Sequence, residues 1–208
     1  MGALPAYGLL LMLVNLMAPP AMAAQFRILA FGDSLTAGYN LPAQDAFPNK
    51  LEAALRAQGR DVKVLNGGVS GDTSAGGLAR LDWALADKPD LVILELGAND
   101  ALRGHDPAKT YANLDAILGK LKAKGVPVLL AGIMAPPNLG RDYAAQFNGI
   151  YKRLADKHGV PLYPFFLDGV ATRADLNLGD GLHPNARGVD AIVRGILPHV
   201  TRMLPAKG

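Results

Sequence analysis

Apolar residues along this chain fall into short continuous runs separated by longer amphipathic stretches. The runs are Phe26–Phe31 (FRILAF), Val62–Asn66 (VKVLN), Leu91–Leu96 (LVILEL), Val126–Gly132 (VPVLLAG) and the shorter Val160–Tyr163 (VPLY). Each is bounded by Gly, Pro or polar residues. Continuous Val/Ile/Leu runs of this length fit strands covered on both faces, as in a parallel sheet. Between them the spacing turns helical. Asp45–Gln58 carries Leu51, Ala54 and Leu55 on one face and stops at Gly59; Ser74–Ala86 carries Leu78, Leu81 and Leu85. Pro107–Lys124 opens with Asp-Pro, sets Tyr111, Leu114, Ile117, Leu118 and Leu121 on one side, and closes at Gly125. These are helix start and stop signals. Asp142–His158 and Ala186–Leu204 complete the set. The alternation predicts an α/β protein: a three-layer α/β/α sandwich around a mostly parallel five-stranded sheet.

The first 24 residues do not share this pattern. They carry no Lys, Arg, Asp or Glu, and Gly8–Ala18 is apolar except for Asn15. Pro19-Pro20 end the run and Ala21-Met22-Ala23 supplies a small-x-small cleavage site. Residues 1–24 therefore read as a secretory signal peptide cut after Ala23 or Ala24, although the segment before the run lacks the usual Lys or Arg. The run is shorter than the roughly 20 residues a spanning helix needs. The expectation is an exported protein, periplasmic or secreted, in which residues 25–208 form a single domain.

Composition narrows the chemistry. Of 208 residues, 21 are Lys or Arg and 18 are Asp or Glu, a formal charge of +3 with the basic residues scattered. So small a surplus, without a basic run, argues against a nucleic-acid partner. The absence of cysteine removes disulfides, thiol nucleophiles and Cys-based metal or redox sites. An exported fold must then be held by packing alone. There is no P-loop, no G-x-G-x-x-G, no H-E-x-x-H and no G-x-S-x-G elbow.

Polar residues and glycine gather instead in four segments that follow predicted strands or precede the last helix. They are Gly32–Leu35, Gly67–Thr73, Gly97–Asp100 and Asp180–Asn185. Sites of parallel α/β sheets form in those loops. Ser34 follows the first strand, where a hydroxyl would be exposed at the sheet edge as a nucleophile needs to be; it would equally serve as a helix cap. His183 has Asp180 three residues before it, close enough for a carboxylate to hold Nδ1 and free Nε2 as a base; the same spacing occurs in turns and metal half-sites. Gly71 can present a bare backbone N–H, and Asn99 a side-chain amide, to an oxyanion; both also suit turns. His158, His199 and His105 lack such a partner in sequence. Asp33 is expected to fix the turn beside Ser34, and Arg80 and Arg103 to be solvated charges rather than cleft residues.

The four segments together resemble the SGNH hydrolases, the GDSL esterase/lipase family. The blocks are FGDSLTAGY with Ser34, SGDTSAGGLARL with Gly71, LELGANDALRG with Asn99, and DGLHPN with Asp180 and His183. Within the family the chain resembles the bacterial arylesterase / acyl-CoA thioesterase I / lysophospholipase group, over about residues 26–204. One departure is GAND where GGND is common; Ala98 is acceptable unless the position needs a positive φ. The resemblance implies Ser34 as nucleophile, His183 as base and Asp180 as third triad member. It also implies an oxyanion hole from the Ser34 N–H, the Gly71 N–H and the Asn99 side chain. No cofactor or metal is implied. The implied substrates are small carboxylic esters and thioesters, among them aryl esters, medium-chain acyl esters and lysophospholipids. The expected protein is a monomer without stable membrane insertion once the leader is removed. Met134–Tyr143, with Met134, Leu139 and Tyr143, is the expected apolar lining of the acyl site. A carbohydrate O-deacetylase of the same family and an inactive SGNH binding module remain as alternatives.

Overall fold

A computed structural model describes residues 25–206 and Gly2; the proposed leader at residues 1–24 lies outside the described segment. Five strands form one sheet: β1 (Phe26–Gly32), β2 (Val62–Gly68), β3 (Leu91–Glu95), β4 (Val128–Ala131) and β5 (Leu162–Tyr163). Their order is β2-β1-β3-β4-β5 and every pairing is parallel. The expected α/β sandwich is therefore present, with a sheet that is parallel throughout. β1, β3 and β4 are almost wholly buried, because helices cover both of their faces, as their unbroken apolar sequences require.

The helices are α1 (Ser34–Ala37), α2 (Phe47–Ala57), α3 (Ser74–Ala84), α4 (Ala98–Leu102), α5 (Pro107–Ala123), α6 (Arg141–Asn148), α7 (Ile150–His158) and α8 (Ala186–Thr201). α2 and α8 pack together on one side; α3, α5 and α7 pack together on the other. The sequence marks of α5 act as expected. Pro107 opens it, the Asp106 carboxylate accepts the Ala108 N–H, and Lys120 and Lys122 lie in its last turn. Phe31, Phe47, Phe147 and Phe166 are the largest fully buried side chains and fill the layers on either side of the sheet.

Most element ends move by one or two residues from the sequence reading, and some differences are larger. The stretch 142–158 is two helices, not one. Gly149 separates them, and the Asn148 side chain leaves the helix to accept the Ala135 N–H at 2.8 Å. Glycine weakens a helix by about 1 kcal/mol relative to alanine, which makes this the natural place for a break. The last helix stops at Thr201 rather than Leu204. α1 and α4 were read as loops; at four and five residues they are too short to show a hydrophobic period.

The strand order reverses between β1 and β3. Chain leaving β1 goes to β2 on one side, and chain leaving β3 goes to β4 on the other. A crevice opens at the carboxyl ends of the strands at such a switch point. Ser34 follows β1 and Asn99 follows β3, so both stand at its edge.

Candidate active site

Ser34, His183 and Asp180 meet in one line. Ser34 Oγ lies 2.9 Å from His183 Nε2, and His183 Nδ1 lies 2.7 Å from Asp180 Oδ2. The other Asp180 oxygen accepts the Leu182 and His183 backbone N–H groups at 2.9 and 3.0 Å. Those N–H groups, that of His183 first, hold the Asp180 carboxyl down at about 2. An ionised carboxylate can only accept, so Nδ1 carries the proton and the Nε2 lone pair faces the serine hydroxyl. The loop bearing the pair is itself fixed. Leu178 N–H donates to the His183 carbonyl at 2.7 Å, and Asn185 Oδ1 caps α8 through the Arg187 and Gly188 N–H groups. The Tyr39 ring lies against the imidazole, centroid to centroid 4.3 Å. Ser34 is more enclosed than its sequence position suggests, with only 8% of its surface exposed. It is the first residue of α1, and its neighbour Asp33 is the cap, accepting the Leu35 N–H at 3.0 Å. The expectation that Asp33 fixes the turn therefore holds.

The three candidate donors lie on the segments that follow β1, β2 and β3. The Ser34 N–H opens α1, where a helix leaves its first N–H groups without partners. Gly71 has φ +82°, and a Cβ there would meet only the Arg103 side chain. Its glycine serves backbone conformation rather than space. Arg103 donates to the Gly71 carbonyl at 3.0 Å. Asn99 stands in the first turn of α4, where Nδ2 donates to the Asp72 carbonyl at 2.8 Å and to Asp33 Oδ2 at 3.3 Å. Ala98 needs no positive φ; the left-handed position is Gly97, at φ +122°, where a Cβ would also strike Tyr151 Oη.

Beneath Asp33 sits a residue that the sequence reading did not single out. Glu95, the last residue of β3, is fully buried, and its Oε2 accepts the Thr36 hydroxyl at 2.7 Å and the Asp33 N–H at 3.4 Å. Burial, and then the neighbouring Asp33 charge, push Glu95 well above the usual carboxylate range. Burial likewise pushes Asp33 up to about 7. The signal was a lone Glu inside the otherwise apolar run LVILEL, which two-sided burial forbids unless the group has partners.

A cavity of about 400 Å³ opens beside Ser34, Asn99 and His183. Its apolar lining comes from Ile133, Met134 and Pro136 after β4 and from Phe165, Leu167 and Leu182 later in the chain. Met134 thus lines it as expected, but Leu139 and Tyr143 do not. Tyr143 turns away, donating its hydroxyl to the His105 carbonyl at 2.8 Å and stacking on Phe147. Segment 165–172 takes their place, and its Thr172 holds φ +66°, a strained setting for a β-branched residue. The remaining histidines lie elsewhere: His158 Nε2 is 2.7 Å from Asp115 Oδ1, and His199 packs on Tyr163. Neither Arg80 nor Arg103 lines the cavity. Among the described residues no helix is long and apolar enough to cross a membrane.

Comparisons with known proteins give the family of this fold. Residues 30–191 match the GDSL-like Lipase/Acylhydrolase family. An arylesterase of Vibrio mimicus is 45% identical over 165 residues, covering 79% of this chain and 82% of its own. The thioesterase 1/protease 1/lysophospholipase L1 of Escherichia coli K12 is 42% identical over 164 residues, covering 78% of this chain and 77% of its own. The crystal structure of AlinE4, an SGNH-hydrolase family esterase, superposes with a TM-score of 0.74 at 49% identity, covering 89% of this chain and all of the other. A family match over residues 30–191, with relatives 42% and 45% identical over more than three quarters of the chain, means that the chain belongs to the GDSL-like lipase/acylhydrolase family, the SGNH hydrolases, and is a serine esterase acting on carboxylic esters.

Proposed function

We propose that Ser34 is the nucleophile of this esterase, His183 its general base and acid, and Asp180 the carboxylate that orients His183. The observation that carries this reading is the unbroken line Ser34 Oγ–His183 Nε2–His183 Nδ1–Asp180 Oδ2, at 2.9 and 2.7 Å. In the first half-reaction His183 Nε2 takes the Ser34 proton as Oγ attacks the substrate carbonyl. Negative charge moves to the carbonyl oxygen, where the Ser34 N–H, the Gly71 N–H and Asn99 Nδ2 donate to it. The imidazolium then protonates the departing alcohol or thiol as the C–O or C–S bond breaks. In the second half-reaction water, deprotonated by His183, attacks the acyl-Ser34 ester and the acid departs. Asp180 stays ionised throughout and stabilises the imidazolium that forms in each half.

The substrates we infer are aryl esters, medium-chain acyl esters, acyl thioesters and lysophospholipids. The cavity supports this, because its walls offer hydrocarbon beside a polar end at Ser34, Asn99 and His183. The names of the relatives, arylesterase and thioesterase/lysophospholipase, point the same way. Hydrolysis of p-nitrophenyl esters from acetate to palmitate, with an acyl thioester in parallel, tests it. The expected profile peaks at an intermediate chain and includes the thioester. An acetate-only profile overturns the acyl-chain reading and favours a carbohydrate O-deacetylase. We further infer that residues 1–24 direct export and are removed, leaving residues 25–208 as one domain. The mass of the exported protein tests this, and an intact Met1 refutes it.

A further inference from the structure

We propose that Arg80 is a positioning residue for the oxyanion donors: one guanidinium that ties the strand ends bearing Ser34 and Gly71 to each other and, through Asp72, to Asn99. Arg80 lies on α3, outside the cavity, and three of its N–H groups go to three different segments. Nη2 donates to the carbonyl of Gly32, the last residue of β1 and two residues before Ser34, at 2.9 Å. Nη1 donates to the carbonyl of Gly67, near the end of β2, at 2.9 Å. Nε donates to Asp72 Oδ2 at 2.7 Å, and Asp72 directly follows Gly71. The group lies 4.1 Å over the Phe31 ring, so its plane is fixed by stacking as well. Side-chain exposure of Arg80 and Asp72 is only 18% and 11%.

The chain of contacts continues to the reacting centre. The Asp72 carbonyl accepts Asn99 Nδ2 at 2.8 Å, and the Asp72 N–H donates to the Val69 carbonyl at 3.1 Å, closing the turn that holds Gly71 left-handed. Ser34, Gly71 and Asn99 come from three separate strand ends; the Val69 N–H donates to the Gly32 carbonyl at 3.1 Å and joins the first two by one backbone bond, which the Arg80 fork reinforces at the same carbonyl. A flat fork with donors at fixed angles can span such loops, whereas a lysine ammonium is a point charge on a flexible stem. Enclosing a charged pair costs desolvation energy, so its presence here is better explained by geometry than by stability.

This inference rests on the oxyanion assignment above, and a double-mutant cycle separates the two. In the Asn99-intact enzyme, Arg80→Met is expected to lower kcat by roughly 10–100-fold while KM moves by less than about threefold, since the donors act on the transition state. In an Asn99→Ala background the same substitution is expected to cost less than in the Asn99-intact enzyme, because one of the three donors it positions is gone. Arg80→Lys, which keeps the charge toward Asp72, should retain the fold and show an intermediate kcat. Added guanidinium ion should restore part of the Arg80→Met rate. Losses that simply multiply in the double variant, or Arg80→Lys and Arg80→Met proteins with unchanged kcat, overturn the positioning role alone. An Asn99→Ala enzyme with wild-type kcat overturns the oxyanion assignment, and this inference with it.

Discussion

Ser34 Oγ and His183 Nε2 lie 2.9 Å apart although 149 residues separate them in the chain. One stands on the first turn after β1 and the other on a loop before α8, so their contact is set by how α8 packs rather than by local sequence. Asp180, by contrast, is three residues from His183 and uses one oxygen for the loop backbone and the other for the imidazole. On the proposed assignment, removing the Ser34 hydroxyl should abolish turnover without unfolding the protein. Ser34→Ala is expected to keep its circular dichroism and melting temperature and to lose both ester hydrolysis and labelling by a fluorophosphonate. Full activity in the folded variant ends the Ser34 assignment.

Asp180→Asn should be less damaging than Ser34→Ala. Triads that lose only the carboxylate charge fall by roughly 10⁴-fold, because the amide favours the wrong imidazole tautomer while the donors still act. The wild-type carboxylate is held at about 2, below its usual 3.8. Its contribution is thus complete above about pH 4 and is lost as pH falls through about 2. An nuclear magnetic resonance titration of Asp180 that placed its midpoint above the ordinary value would contradict this.

Asn99→Ala should lower kcat by roughly 10²–10³, or about 3–4 kcal/mol, with a smaller change in KM. Asn99 Nδ2 has a firm partner in the Asp72 carbonyl at 2.8 Å and a long one in Asp33 at 3.3 Å. The hydrogen on the long contact is the more weakly held of the two, and on the proposed reading it is the one an oxyanion takes over from Asp33. Asn99→Asp should be worse than Asn99→Ala, since it sets a second carboxylate against Asp33 and against the developing charge. A loss below tenfold for the alanine variant would remove Asn99 from the hole.

The buried pair Asp33–Glu95 makes stability depend on pH in a direction opposite to ordinary salt-bridged carboxylates. Both groups are raised in the folded protein, chiefly by burial, Asp33 to about 7 from 3.8. Between those values the native state holds more protons than the unfolded chain, so stability falls as pH rises through the window. Glu95→Gln removes the charge that must be suppressed and keeps an acceptor for the Thr36 hydroxyl. Relative to wild type, its melting temperature is expected to gain between about pH 5 and about pH 8. Parallel curves for the two proteins would show that the pair does not titrate in that window.

The sheet was legible because five short apolar runs bounded by Gly, Pro or polar residues fit strands; β1, β3 and β4 are covered on both faces, whereas the edge strand β2 exposes Lys63 and Asn66. The helices α2, α3 and α5 carried a full hydrophobic period and clear ends. The candidate site was legible as a set of polar loops after the strands: Ser34, Asn99 and His183 line one cavity, and Asp180 lies against His183. What escaped was set by tertiary packing. α1 and α4 are shorter than two turns, so no periodicity could announce them. Glu95 looked like a polar interruption of a strand, and its partner Thr36 is 59 residues away. Arg80 read as a surface charge on an amphipathic helix, because its three acceptors are two backbone carbonyls and one carboxylate that the sequence does not place near it. The acyl-side wall differs for the same reason: Leu139 and Tyr143 are apolar and close to Met134 in sequence, yet Phe165, Leu167, Ala171 and Thr172 line the cavity instead.

That last difference yields a paired prediction. Ala171 lines the cavity, whereas Tyr143 is anchored outside it through the His105 carbonyl and Phe147. Ala171→Phe should occupy hydrocarbon space and leave the Ser34–His183 contact intact. Each buried methylene of a substrate is worth about 0.8 kcal/mol, so excluding two or three of them should lower kcat/KM for decanoyl esters by roughly 10–100-fold. Acetate, which does not reach the wall, should change by less than about threefold. Tyr143→Phe removes only the hydroxyl contact with His105 and should leave the chain-length profile in its wild-type shape. If Tyr143→Phe shifts the preferred chain length while Ala171→Phe does not, the acyl chain runs along segment 134–143, and the wall formed by residues 165–172 is not the specificity determinant.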